Sequence, residues 1–300
     1  MNGIGVRKIG LALAIAISLA LSACATANQA PASRNISLRA MTFNIRLDLA
    51  SDGANAWPQR RQMVADLIRY ESADIVGLQE VLLHQKQALE SELPAYEFIG
   101  VARDDGLQKG EFSPLAFNRA RFELLGSGTF WLSPTPEVPA KAWDAAYPRI
   151  ATWVVLRDRR SGQSISVLNT HFDHVGKEAR VRSAEQIAAW VSSRKADRDV
   201  VVVMGDFNAP LESEPHAILA NEGASGLRDS RSISKAPPYG PEGTFTAFRI
   251  DNASSEIIDH IFVSDAFAVE RHATISQHWQ GQLPSDHYPV VADLTYRAVN

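Results

Sequence analysis

Residues 199–208 read Asp-Val-Val-Val-Val-Met-Gly-Asp-Phe-Asn, and the rest of the chain is organised around them. Val200 to Met204 is apolar without alternation, the pattern of a strand covered on both faces. Gly205 then permits a sharp turn, which delivers Asp206 and Asn208 to the rim of a sheet, where scaffolds present chemistry. An isolated Asp-x-Asn after a strand is most simply an Asx-turn. Here other strand ends carry the same kind of side chain: Asn44, Glu80, His171 with Asp173, and the late pairs Asp259-His260 and Asp286-His287. That repetition favours a shared site.

Working outward, Ser37 to Asn44 and Asp74 to Val81 read as strands, the first ending on Asn44 and the second carrying Gln79 and Glu80 at its end. Between them lie a polar loop and an amphipathic helix opened by Pro58 at its first turn. Leu82 to Leu93 reads as a helix stopped by Pro94. Tyr96 to Arg103, Phe112 to Phe117 and Phe122 to Leu132 are predicted strands, with a loop over Asp104 to Gly110. The stretch 133–148 holds four prolines, with Trp131, Trp143 and Tyr147 at or near its margins, and reads as a long loop facing substrate. Thr152 to Asp158 and Gln163 to Thr170 form a strand pair whose connection carries Arg157, Arg159 and Arg160 in a solvated turn. Lys177 to Ser193 and Glu214 to Ala220 are predicted helices, and 221–242 a surface loop. Thr244 to Phe248, Glu256 to Val263 and Tyr288 to Leu294 complete the strands. Strands outnumber helices and many neighbours pair as antiparallel, so the fold class is α/β: two mixed sheets packed face to face, flanked by helices. The middle of the chain lacks the strict strand and helix alternation that a doubly wound sheet requires.

Three hundred residues with 45% apolar and 21% charged side chains can bury a sizeable core. The first 24 residues differ in kind. Arg7 and Lys8 precede an apolar run from Ile9 to Ala20, which is too short to span a bilayer and sits where a secretory signal belongs. Leu21-Ser22-Ala23-Cys24 resembles the bacterial lipobox, in which the cysteine is acylated after cleavage. Cys24 is the only cysteine, so no internal disulfide can form, and lipidation at Cys24 accounts for its presence. Ala25 beside it implies sorting to the outer membrane, facing the periplasm or the cell surface. Residues 25–36 then read as a flexible tether and 37–300 as the folded domain. The formal net charge of −4 becomes −6 when Arg7 and Lys8 are removed with the signal. An acidic chain with only short basic clusters argues against partners held by phosphate neutralisation, so nucleic acid is not favoured.

Oxygen donors dominate the strand-end inventory of Asn44, Glu80, His171, Asp206, Asn208, Asp259, Asp286 and His287. Such a set suits a hard cation, Mg²⁺ or Mn²⁺, rather than zinc, which takes more nitrogen or sulfur ligands. No glycine-rich phosphate loop, Gly-x-Ser-x-Gly elbow or dinucleotide fingerprint is present, which excludes serine esterase and kinase chemistry.

Six segments in order, Met41-Thr42-Phe43-Asn44, Leu78-Gln79-Glu80-Val81, Asn169-Thr170-His171, Gly205-Asp206-Phe207-Asn208, Ile258-Asp259-His260-Ile261 and Ser285-Asp286-His287, resemble the motifs of the endonuclease/exonuclease/phosphatase superfamily. The likeness runs from about Arg39 to Leu294. It implies a four-layered α/β sandwich and metal-dependent hydrolysis of a phosphate ester. By the same resemblance Glu80 is a metal ligand, with Asn44 and Asp286 beside it. Asp206 activates or orients the attacking water, next to Asn208. His287 contacts phosphoryl oxygens and is oriented by Asp286. His171 takes the role of a second histidine, with Glu111 as its acidic partner, and Asp259 fits a further metal or acid/base position. Arg149 is a candidate for steering an anionic substrate. Arg46 stands where abasic-site endonucleases carry an acidic residue, which sets the chain apart from DNA repair. Asp173 and His174 read as loop polarity.

The expectation is an exported, monomeric, divalent-metal-dependent phosphomonoesterase or phosphodiesterase for a small or lipid-like phosphate ester, held to the membrane through Cys24. The alternatives are an extracellular nuclease and a lipoprotein that binds without turnover.

Overall fold

A computed structural model describes Met1 and residues 35–196, 200–221, 223, 225–251 and 254–297. The signal segment, Cys24 and most of the tether lie outside the described residues. The chain divides between residues 32 and 33, and the description below concerns the second unit.

The elements run β1 (Asn35–Asn44), α1 (Trp57–Glu71), β2 (Ile75–Gln79), α2 (Leu83–Glu92), β3 (Tyr96–Ile99), β4 (Leu115–Asn118), β5 (Phe122–Trp131), β6 (Ile150–Asp158), β7 (Ser164–His171), α3 (Lys177–Ala196), β8 (Val200–Asp206), α4 (Glu214–Leu219), β9 (Leu227–Asp229), β10 (Asp259–Ser264), β11 (Ala268–Thr274) and β12 (Val290–Arg297). Strand order is β11-β12-β1-β2-β4-β3 in one six-stranded sheet and β5-β6-β7-β8-β10-β9 in the other. Each sheet is mixed. A parallel pair, β1 with β2 or β7 with β8, lies at its centre, joined by a crossover that carries α1 or α3.

Three apolar clusters explain the layering. Leu38, Ile75, Val154, Val167, Val202, Met204 and Ile261 meet between the sheets. Phe43, Leu78, Val64 and Leu67 pack the outer face of the first sheet under α1, while Leu168, Val203, Ile187 and Val191 do the same for the second under α3. Successive residues of a strand point to opposite faces, so unbroken runs such as Val200 to Met204 fill both the central core and an outer one. The result is the expected sandwich of helix, sheet, sheet and helix.

A polar seam crosses the central core. The Asn169 side-chain amide donates to the carbonyls of Leu78 at 2.8 Å and Pro114 at 3.0 Å, and its oxygen accepts from Gln79 Nε2 at 2.6 Å. Gly77 makes this approach possible: a Cβ there would lie 2.6 Å from Asn169 Oδ1 and 2.9 Å from Met204 Cγ. Gly77→Ala is therefore expected to destabilise the fold by about 1–3 kcal/mol through overpacking. An unchanged denaturant midpoint would contradict this.

Several boundaries differ from the sequence expectation. β8 runs through Gly205 to Asp206, because both residues still pair with Asp259 and His260 of β10. Tyr96 to Arg103 keeps strand geometry only to Ile99, and Phe112 joins neighbours by isolated bridges. Thr244 to Phe248 is not a strand, although Phe245 bridges to His287. β9 lies inside the stretch read as surface loop, and β11 was not anticipated. The sheet begins at Asn35, two residues into the predicted tether.

Candidate active site

Sheet register brings the strand ends together. Asn44 closes β1 opposite Gln79, so Glu80 follows one residue beyond on the neighbouring strand. His171 and Asp206 are paired at the ends of β7 and β8, and Asp259 opens β10 opposite Asp206. β12 pairs with β1 from Thr42 and Val290, which puts Asp286 and His287 just outside the same edge. Ser285 Oγ ties that approach down by donating to the Asn44 carbonyl at 2.6 Å. Buried Arg60 adds bonds to the carbonyls of Ile45 at 2.6 Å and Pro284 at 3.0 Å, clamping the two segments.

Asp206 Oδ2 is the centre of the arrangement. Asn44 Nδ2 donates to it at 2.9 Å, while His171 Nε2 stands 3.5 Å away and His287 Nε2 3.7 Å away. The other amide hydrogen of Asn44 goes to Glu80 Oε1 at 3.0 Å, and Leu47 N donates to Glu80 Oε2 at 3.1 Å. Arg46 gives its hydrogen bonds to Asp52 and lies 3.9 Å from Glu80 and 3.7 Å from Asp286, joining both as a fixed positive charge. Arg46, Glu80 and Asn208 have φ of 58°, 59° and 46°. Left-handed backbone at non-glycine residues costs on the order of 1–3 kcal/mol each and gathers where geometry is dictated by function.

One role implied by resemblance is corrected by the geometry. The carboxylate on His287 Nδ1 is Asp259 Oδ2 at 2.9 Å, whereas Asp286 faces Arg46. Adjacent side chains leave the backbone on different sides, so sequence neighbours make poor partners. Burial opposes charging of His287, but Asp259 and Asp206 outweigh it and hold its pKa well above the ordinary imidazole value. Asn208 donates its amide to the Phe172 carbonyl at 3.1 Å and its backbone N–H to Asp206 Oδ1 at 3.0 Å, so it positions the loop beneath Asp206.

Glu111 stands 3.7 Å from His171 Nδ1 and accepts from Arg103 at 2.7 Å. Burial would raise its pKa, yet His171, Arg103 and Arg149 bring it down to about 2. Arg149 is not a free surface cation. It is 4% exposed, with Nε 3.1 Å from Asp173 and one terminal nitrogen 3.0 Å from His174 Nδ1. Asp173, read from sequence as loop polarity, is buried and also accepts from the backbone of Ala146, Val175 and Gly176. Burial and the Arg149 charge lower the pKa of His174. Arg103, Tyr147 and His174 are additions that the sequence did not single out as a group; the only signal was the aromatic margin of the proline-rich loop.

The donor set fits a hard divalent cation. Asp259 Oδ1 is buried with no hydrogen-bond partner, and burial together with Glu80 raises the Asp286 pKa although His287 opposes it. Buried, under-neutralised oxygens of this kind are what a bound cation satisfies. Glu80, Asp286 and the Asn44 amide oxygen are the side chains available to hold it, with Asp259 adjacent.

A second ligand-type cluster is internally saturated. Asp229 Oδ2 accepts from His216 Nε2 at 2.9 Å and His260 Nδ1 at 3.0 Å, while His260 Nε2 donates to the Ala209 carbonyl. It pins β9 and α4 to β10. Burial works against the Asp229 charge, but the two histidines outweigh it and hold the carboxyl well below its usual range. Its stabilising contribution is therefore full above about pH 4 and is lost as pH falls through the lower folded value. Asp229→Asn is expected to cost about 3–5 kcal/mol in urea unfolding at neutral pH, since it leaves buried charge uncompensated. A change below 1 kcal/mol, the range of an exposed pair, would refute that role.

The layered sandwich gathers carboxylates, an amide and imidazoles at the ends of two parallel strand pairs, the arrangement of a hydrolytic site. The profile of the Endonuclease/Exonuclease/phosphatase family matches residues 41–287, and the chain belongs to that family, whose members depend on divalent metals. A family member from Bacteroides vulgatus is 39% identical, with 87% of this chain and 99% of that one covered at a TM-score of 0.82. A mannosyl-6-phosphatase of Bacteroides thetaiotaomicron is 35% identical, covering 86% and 99% at 0.81. An uncharacterized protein of Acanthamoeba polyphaga mimivirus is 24% identical over 159 residues, 51% of this chain, which spans 59% of that relative's length.

Proposed function

We propose that the chain is an exported phosphomonoesterase that uses Mg²⁺ or Mn²⁺ to release phosphate from a small, hydroxylated alcohol such as a sugar. The observation that carries the reading is the convergence of Asn44, His171 and His287 on the single oxygen Asp206 Oδ2. The name of the Bacteroides thetaiotaomicron relative supports a sugar phosphate as substrate.

In this reading Asp206 accepts a proton from water as the water oxygen forms its bond to phosphorus. The ester P–O bond breaks on the opposite side, and the departing alkoxide takes a proton from solvent. His287, kept charged by Asp259, donates to a phosphoryl oxygen as negative charge builds there, and His171 stands ready on the other side. Glu80, Asp286 and Asn44 would hold the cation, which would supply Lewis-acid stabilisation of the phosphoryl group. Asn208 keeps the Asp206 loop in register. Cys24 anchors the protein by lipid, through the tether, to the outer membrane, and the domain works as a monomer. Among the described residues no helix is long and apolar enough to cross a membrane.

The test is a panel of sugar phosphates, bis-p-nitrophenyl phosphate and plasmid DNA, each with Mg²⁺ and with EDTA. Phosphate release from sugar phosphates with intact plasmid is expected. Plasmid degradation without release from monoesters would replace this reading with a nuclease. Hydrolysis of none of the three would leave a binding protein.

A further inference from the structure

We propose that Tyr147 and His174, backed by Arg149, form the wall that recognises the sugar ring of the substrate. The assignment rests on the phosphomonoesterase reading and names which part of the cleft selects the alcohol.

A continuous line of contacts leads from the centre of the site to this wall. Asp206 faces His171, His171 faces Glu111, and Glu111 accepts from Arg103. The Arg103 guanidinium lies over the Tyr147 ring, 4.9 Å from its centroid. Tyr147 in turn stacks on His174 with centroids 6.1 Å apart and planes 21° from parallel. Tyr147 is 51% exposed and His174 is exposed too, yet both rings are held. The Tyr147 backbone N–H reaches buried Asp173 at 3.4 Å, and Arg149 donates to His174. An exposed aromatic pair fixed by two guanidiniums is preorganised, which lowers the cost of ordering it around a ligand.

The polar atoms say what that ligand is. A guanidinium can only donate, so His174 Nδ1 accepts and the ring proton resides on Nε2, a neutral donor. The Arg149 charge is already matched by Asp173. Its remaining nitrogen is buried with no hydrogen-bond partner, in a side chain that is 5% exposed. A buried donor left unpaired carries a desolvation penalty that a ligand oxygen removes. Neutralised donors beside an aromatic face suit hydroxyl oxygens and the C–H face of a pyranose.

The experiment uses the full chain with Mg²⁺ and compares a hexose 6-phosphate with glycerol 3-phosphate, which has no ring. Tyr147→Ala is expected to raise KM for the hexose ester at least ~10-fold, with kcat nearly kept and glycerol 3-phosphate little changed. His174→Ala is expected to behave in the same way. Equal losses on both esters would mean that the wall shapes the phosphate site, and an unchanged hexose KM would remove the wall; either overturns the assignment. Wild-type release from glycerol 3-phosphate but from no hexose ester would overturn it while leaving the phosphatase reading intact. If wild type hydrolyses neither, the phosphatase reading fails, and calorimetric titration of hexose 6-phosphate decides the wall. Binding weakened by Tyr147→Ala supports it, and no binding ends it. A preference for nucleoside monophosphates that depends on Tyr147 would assign the wall to a base instead.

Discussion

An Asp206→Ala protein is expected to hydrolyse phosphate esters at least ~100-fold more slowly than the native chain, with KM little altered. Asp206 lies at the end of a strand paired on both sides, and its Oδ2 is the one atom that Asn44, His171 and His287 all face. Alanine removes the proton acceptor and leaves both imidazoles without their common counter-charge. Circular dichroism and the unfolding midpoint separate loss of chemistry from loss of fold. A well-folded variant with near-native turnover would place the reacting atoms elsewhere on the molecule.

Removing the metal should have an effect as large. Dialysis against EDTA is expected to abolish turnover, and Mg²⁺ to restore it. Glu80→Gln should raise the Mg²⁺ concentration for half-maximal activity by at least ~10-fold, since partners that merely orient ligands are already worth that much. Glu80 is held in the left-handed region with both oxygens engaged, so the variant changes charge more than shape. A second readout is independent of activity. A cation that binds only the folded chain raises its melting temperature, and the Mg²⁺-dependent rise should shrink in Glu80→Gln. Full activity in EDTA would remove the metal from the mechanism.

The strand exits were legible because each central strand is an apolar run that stops on a polar residue: Phe43 before Asn44, Leu78 before Gln79 and Glu80, Met204 shortly before Asp206. Sandwich architecture followed from the same runs, which need cover on two faces. Other parts left weaker traces. β9 has three residues in a stretch rich in glycine, serine and proline, and it exists because Asp229 is drawn to His260 from a neighbouring strand. β11 is an edge strand carrying Glu270 and Arg271 at a register shift, so its alternation is broken where a reader would look for it. The partner of His287 was misread for a related reason. Asp286 is adjacent in the chain, but Asp259 is adjacent in space through the pairing of β10 with β8. Arg149 and Asp173 lie 24 residues apart and meet only through the fold. Tertiary pairing of this sort has no local periodicity to reveal it.

The amide of Asn169, reaching from one sheet to carbonyls of the other through the gap left by Gly77, bears on how the enzyme ages under heat. The catalytic candidates are shared between the two slabs, and this crosslink helps to rivet the slabs together. Separation of the slabs by even an ångström would scatter the groups around Asp206 before any helix melted, so inactivation should precede the spectroscopic transition rather than follow it.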